Sequence, residues 1–226
     1  MVSKIEISRP RSKRTGIPQL RGRSFTASVL LVCVGLLSAA GRAIAHHAID
    51  GKIPSNFFEG FVSGLAHPII GLDHFAFIVA IGLLAVGLSR GALIPAGFVL
   101  TALLGTGIHL LGLDLPGSEI IIAGSAIAFG VMLFTQQRPN FIALTALASF
   151  AGLFHGYAYG ESIVGALLTP LVAYLLGFSV IQYAIALIAL FIGNSIGQKF
   201  TNSPMRFAGF VICSIGTVFL TSSLLG

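Results

Sequence analysis

From Gly71 onward the chain alternates long apolar runs with short polar breaks. The runs are Gly71 to Leu88, Ala92 to Leu111, Ile120 to Thr135, Phe141 to Tyr157, Leu171 to Ile196 and Phe207 to Leu225. Each is long enough, or nearly so, for a helix rising about 1.5 Å per residue to cross a bilayer core of about 30 Å. The pattern predicts an all-α polytopic membrane bundle of six transmembrane helices. Arg90 follows the first run, Arg138 the third, and Lys199 with Arg206 the fifth, whereas Asp114, Glu119 and Glu161 occupy the other breaks. Placing the basic breaks in the cytoplasm satisfies the positive-inside tendency and leaves both ends of the bundle outside.

Ahead of the first run, Phe57, Phe58, Phe61, Val62 and Leu65 make an apolar face at helical spacing, with Glu59 and Ser63 elsewhere on the wheel. This stretch is too short to span, so it predicts an interfacial or re-entrant helix stopped near Pro68. Gly64-Leu65-Ala66-His67-Pro68 is echoed by Gly152-Leu153-Phe154-His155-Gly156, three spans later. That echo points to an inverted three-plus-three repeat, the plan in which a substrate site forms between two halves.

Composition agrees with the membrane reading: 55% of the 226 residues are hydrophobic and 9% are charged. The net charge of +6 raises the question of a nucleic-acid or acidic-lipid partner, but eight of the thirteen Lys and Arg precede position 46. No nucleic-acid partner is therefore expected. The basic start, the apolar stretch Ala27 to Leu37 and the small-x-small Ala43-Ile44-Ala45 read as a signal peptide over 1–45, cleaved to leave His46 first. Residues 46–226 would then be the six-helix domain, in the cytoplasmic membrane with both termini outside. An uncleaved anchor from Phe25 to Gly41, or an organelle transit sequence, are the rival readings. Cys33 would leave with the leader, and Cys213 alone forms no internal disulfide.

Two imidazoles and a carboxylate stand at the start of the first span, His67, Asp73 and His74. A carboxylate at mid-membrane costs about 2.5–3.5 kcal/mol on insertion scales, so it requires a compensating partner. A metal ion is the natural one. On an unbroken helix His67 and His74 would stand about 10 Å apart along the axis, too far to share an ion; a break at Pro68 to Gly71 could fold them together. Imidazole with carboxylate suits divalent Ni, Co, Zn or Cu, while Met132 and Met205 lie apart from the histidines and disfavour Cu(I). His155 joins the metal set, and His46, His47 and His109 would complete an outward-facing funnel. The plainer readings are an interfacial cap for His67, a helix-packing hydrogen bond for His155 beside Gly156 and Gly160, a solvated terminus for His46 and His47, and ordinary loop charges for Asp114, Glu119 and Glu161.

His67 followed by Asp73-His74, the segment Phe154-His155-Gly156-Tyr157-Ala158-Tyr159-Gly160-Glu161, and the leader-plus-six-spans layout together resemble the HupE/UreJ family of nickel or cobalt permeases. In that family the fourth-span pattern reads Phe-His-Gly-x-Ala/Val-His-Gly-x-Glu. Here Tyr159 replaces the second His, and the acid comes one residue early as Glu161, with Ser162 at the expected position. The resemblance implies uptake of Ni2+ or Co2+ as transported substrate, with no resident cofactor, in support of hydrogenase, urease or cobalamin pathways. It carries His155 over directly, Glu161 loosely, and leaves Tyr159 open as a ligand. Self-association into a homo-oligomer is also left open.

The chain lacks the phosphate loop of a nucleotide-driven pump. The rival from another class is an intramembrane hydrolase, either metal-dependent through His67, Asp73 and His74 or built on Gly193-Asn194-Ser195-Ile196-Gly197, which fits the nucleophile-elbow string. A metal sensor or chaperone that binds without transport is a third reading. The elbow needs a strand-turn-helix context, which a membrane helix end does not supply.

Overall fold

The computed structural model describes residues 52–197 and 203–225. Among them are seven helices and no strand: α1 (Phe57–Ile70), α2 (Leu72–Leu84), α3 (Leu93–Leu110), α4 (Ser118–Thr135), α5 (Phe141–Glu161), α6 (Leu168–Gly197) and α7 (Ser203–Leu225). Helices α3 to α7 are each long and apolar enough to cross a membrane, and α1 with α2 meet that test together as a pair bent by 79°. This is a multi-pass membrane protein. The signal peptide, its cleavage site, His46, His47 and Lys199 lie outside the described residues.

The first crossing differs from expectation. Helix α1 does not stop at Pro68 but runs on to Ile70, and the break falls at Gly71 (φ −71°, ψ 96°). Pro68 has no N–H to give the Gly64 carbonyl, yet its fixed φ is helical and the helix continues two residues beyond it. Helix α2 then ends at Leu84 rather than Leu88, and its 13 residues cover about 20 Å, too short to span alone. Helix α5 extends past Tyr157 to Glu161, so the whole His155 segment is helical. Local signals fix the starts: the Asn56 side chain accepts from Glu59 N–H at 2.9 Å while the Glu59 carboxylate takes Ser55 N–H at 2.8 Å, and Asn140 accepts from Ala143 N–H at 2.9 Å.

Packing is by pairs. Helix α1 lies along the first half of α6, α3 along α5, and α4 along α7, while α2 occupies the centre against α3, α4, α6 and α7. Glycines set the closest approaches. A Cβ on Gly64 would collide with the Tyr174 carbonyl, one on Gly156 with Ala102, and one on Gly209 with the Phe134 backbone, so the paired backbones are in direct contact. The registers give the directions. Gly60 meets Pro170 and Gly64 meets Tyr174, so α1 and α6 run parallel; Gly97 meets Ser149 and Gly160 meets His109, so α3 and α5 do too; Gly209 meets Phe134 and Gly216 meets Ala123, so α4 and α7 are antiparallel. Six alternating crossings require this set of directions.

Helix α2 is apolar nearly all round and buries Phe77, Ile78, Ile81 and Leu84. Its lower end is closed by Arg138, whose Nη1 donates to the carbonyls of Leu84 at 2.6 Å and Val86 at 2.5 Å. Arg206 donates to the Phe134 carbonyl at 3.0 Å, closing α4 in the same way. Cations at helix C-termini face the negative end of the dipole and take carbonyls the helix leaves unpaired. A Gly156→Leu substitution should therefore lower the thermal midpoint of the detergent-purified protein by several degrees, reflecting overpacking of about 1–3 kcal/mol. Gly124→Leu, where a side chain would meet nothing within 4 Å, should leave the midpoint unchanged.

Candidate functional site

The bend at Gly71 brings the first motif together. His67 stands in the last turn of α1, and the chain then turns by 79°, so the first turn of α2 carries Asp73 and His74 back toward it. The two imidazole centroids lie 6.2 Å apart. A Cβ on Gly71 would stand 2.7 Å from Cδ2 of His74, so any larger residue at the bend would push that ring from its place. Both rings are buried, each 7% exposed, and Asp73 beside them is half-buried.

A second histidine pair forms across the bundle. His155, fully buried on α5, places its Nδ1 2.8 Å from Nδ1 of His74. The proton positions follow from counting donors. The Ser125 hydroxyl of α4 donates to the Ile122 carbonyl at 2.7 Å, so it accepts from Nε2–H of His155 at 3.1 Å. Neutral imidazole has one donor nitrogen, so Nδ1 of His155 is the acceptor and Nδ1–H of His74 the donor. The lone pair of His74 is thereby directed to Nε2. His67 has the corresponding support, its Nδ1 lying 3.1 Å from the Ser162 hydroxyl, which in turn is 2.9 Å from the Tyr174 hydroxyl. A hydrogen bond at one nitrogen fixes the tautomer and orientation of an imidazole, as it does for metal-binding histidines.

Tyr159, one turn beyond His155, stands over both halves of the first motif. Its ring centroid is 5.1 Å from that of His67 and 4.6 Å from that of His74. The phenol is fully buried, and its hydroxyl has no hydrogen-bond partner. Below the cluster the way is closed by aromatics: Phe77 stacks on His155 at 4.5 Å and packs on Phe98 and Phe129.

Other expected residues lie elsewhere. His109, in the last turn of α3, packs against another face of α5, edge-on to Tyr157 at 4.5 Å and against Gly160, with its Nδ1 unpartnered. Tyr157 reaches Asp114 at 3.5 Å. Asp114, Glu119 and Glu161 are exposed. At the opposite end, Met132 and Met205 line a cavity of about 270 Å³ with Leu83, Val86 and Arg138, far from the imidazoles. Ser195 lies on the continuous helix α6 and donates to the Phe191 carbonyl at 2.9 Å, so the nucleophile-elbow geometry is not formed there. Among the described residues, no three His, Cys, Asp or Glu side chains surround a single ion position.

Three contributors escaped the sequence reading: Ser125, Ser162 and Tyr174. Ser162 carried a signal. It follows His155 by seven residues and so returns to the same helix face, whereas Glu161 points about 120° away.

Comparison with known proteins follows this geometry. Residues 34–219 match the family model described as HupE / UreJ protein. Protein HupE of Rhizobium leguminosarum bv. viciae is 32% identical over 105 residues, covering 45% of this chain and 54% of the relative. The aligned stretch thus spans about half the length of that curated relative. No solved structure matches. With a family match that takes in every described helix through most of α7, the chain belongs to the HupE/UreJ family.

Proposed function

We propose that this protein is a secondary permease, not an enzyme, that carries Ni2+ or Co2+ into the cell across the cytoplasmic membrane for metalloenzyme maturation. The observation that carries this reading is the convergence of His67, His74 and His155 at the Gly71 bend, with an Nδ1 of each engaged by a hydrogen-bond partner. Nickel and cobalt as dications take imidazole nitrogen and carboxylate oxygen readily. In this reading an entering ion exchanges water for Nε2 of His67 and His74 and for the Asp73 carboxylate. The negative charge of Asp73 offsets the cost of dehydrating a dication in an apolar surround. With metal–nitrogen bonds of about 2.0–2.1 Å each ring centroid stands about 3 Å from a bound ion, so the 6.2 Å between the His67 and His74 centroids is within the span of one shared ion. The Tyr159 ring stands against both imidazoles, so an ion entering between them displaces it. That displacement couples occupancy of the site to α5, which carries Tyr159.

The membrane potential favours inward movement of a dication, at about 2.3 kcal/mol per charge per 100 mV. The proposed orientation puts His46 and the C-terminus outside after cleavage at Ala45. The helix pairing supports two inverted halves. Exchanging the first three crossings with the last three maps the parallel pair α1 and α6 onto the parallel pair α5 and α3, and the antiparallel pair α4 and α7 onto itself.

Cells expressing the protein should accumulate radioactive nickel or cobalt, and Asp73→Ala should reduce uptake by roughly a hundredfold or more while the variant still inserts. Wild-type-like uptake by a correctly inserted Asp73→Ala protein would remove the core of this mechanism.

The departure from the family pattern at Tyr159 gives a second test. Tyr159→His adds an imidazole one turn from His155 and against His74, and should change the apparent uptake affinity or the Ni/Co preference by about tenfold. His155→Ala should weaken uptake in either background. Competitive uptake of the two metals under matched expression checks both; unchanged affinity and preference in all variants would leave α5 a packing element.

A further inference from the structure

Helix α6 leads from the imidazole cluster to the opposite end of the bundle. Near its start Tyr174 and Phe178 pack against His67 and Tyr159. Further along, Ala186 lies against Gly82 of α2, and Gly193 meets Leu83, Val86 and Met205, which line the inner cavity. Residues 174, 178, 182 and 186, four apart, share one buried face. The polar member between cluster and cavity is Gln182.

Gln182 is 0% exposed. Its Nε2 donates to the Phe178 carbonyl of its own helix at 3.0 Å, and its Oε1 has no partner. It therefore does not act as interhelical glue, the usual role of a buried carboxamide in a membrane bundle. An amide oxygen left unpaired in an apolar surround is a net cost that Leu or Met at the same position would avoid. The position is informative. Gln182 lies about 6 Å inward of Phe178, and the contact of Gly82 with Ala186 places Ile78, one turn below His74, at the same level.

We infer that Gln182 is a relay ligand, whose side-chain oxygen takes the dication from the imidazole cluster and passes it toward the inner cavity. This rests on the permease reading. A neutral carbonyl oxygen is a weaker ligand for Ni2+ or Co2+ than imidazole, which suits a step that must release the ion rather than hold it. It also supplies a side-chain oxygen on this buried face of α6 one turn beyond Phe178.

The test uses the full-length protein reconstituted in proteoliposomes, with Ni2+ and Co2+ alone as probes, measuring equilibrium binding, initial uptake rate and melting temperature. Gln182→Leu should bind metal as the wild type does and melt no lower, yet take it up about tenfold more slowly or worse. Gln182→Glu, which keeps an oxygen in place, should restore uptake above the Leu level. Uptake by Gln182→Leu within about twofold of wild type would overturn the assignment. So would loss of binding and melting temperature together with uptake, which marks a structural role, or Gln182→Glu no faster than Gln182→Leu. Absence of both binding and uptake in the unsubstituted protein would instead overturn the permease reading itself, and the relay with it.

Discussion

The structure turns on one constraint: a polar group placed where no water reaches it is costly unless it finds a partner within the bundle. Three buried imidazoles meet it by borrowing from one another and from small hydroxyls. His155 is held between His74 and Ser125, and His67 is held by Ser162 in a network with Tyr174. Helices α1, α2, α4, α5 and α6 all contribute, so the cluster ties most of the bundle to one point. The bend at Gly71 makes this possible, because a straight helix would carry His67 and His74 out of common reach.

The same constraint explains the far end. Helix α2 is too short to reach the other surface, and its last carbonyls would be orphaned within the bundle. Arg138 supplies donors for Leu84 and Val86, and Arg206 does so for Phe134 of α4. The central helix is thus anchored by charge below and by imidazole above, with an aromatic layer of Phe77, Phe98 and Phe129 between. An ion crossing such a bundle must repack that layer, and interiors repack between discrete arrangements rather than deform smoothly.

Much of this was legible in the chain. The apolar runs announced the helices, and the alternation of Arg90, Arg138 and Arg206 with Asp114, Glu119 and Glu161 suggested alternating directions, with which the parallel and antiparallel registers of the three glycine-packed pairs agree. Pro68 and Gly71 announced a break between His67 and His74, and it falls at Gly71. The contact between His74 and His155 was not legible as geometry, because local patterns encode no partner 81 residues away. Charge drew attention to Glu161, while helix phase selects Ser162. Gln182 was hidden in an apolar run, where a single polar residue leaves the periodicity unchanged.

The central claim is that a dication is bound through imidazole nitrogen at the Gly71 bend. X-ray absorption at the metal edge of the purified protein loaded with one equivalent of Ni2+ or Co2+ tests it most directly. The account predicts at least two imidazole ligands at about 2.0–2.1 Å, with one lost on changing His67 or His74 to Gln. A first shell of oxygen alone, or a spectrum unaltered by either substitution, would contradict it.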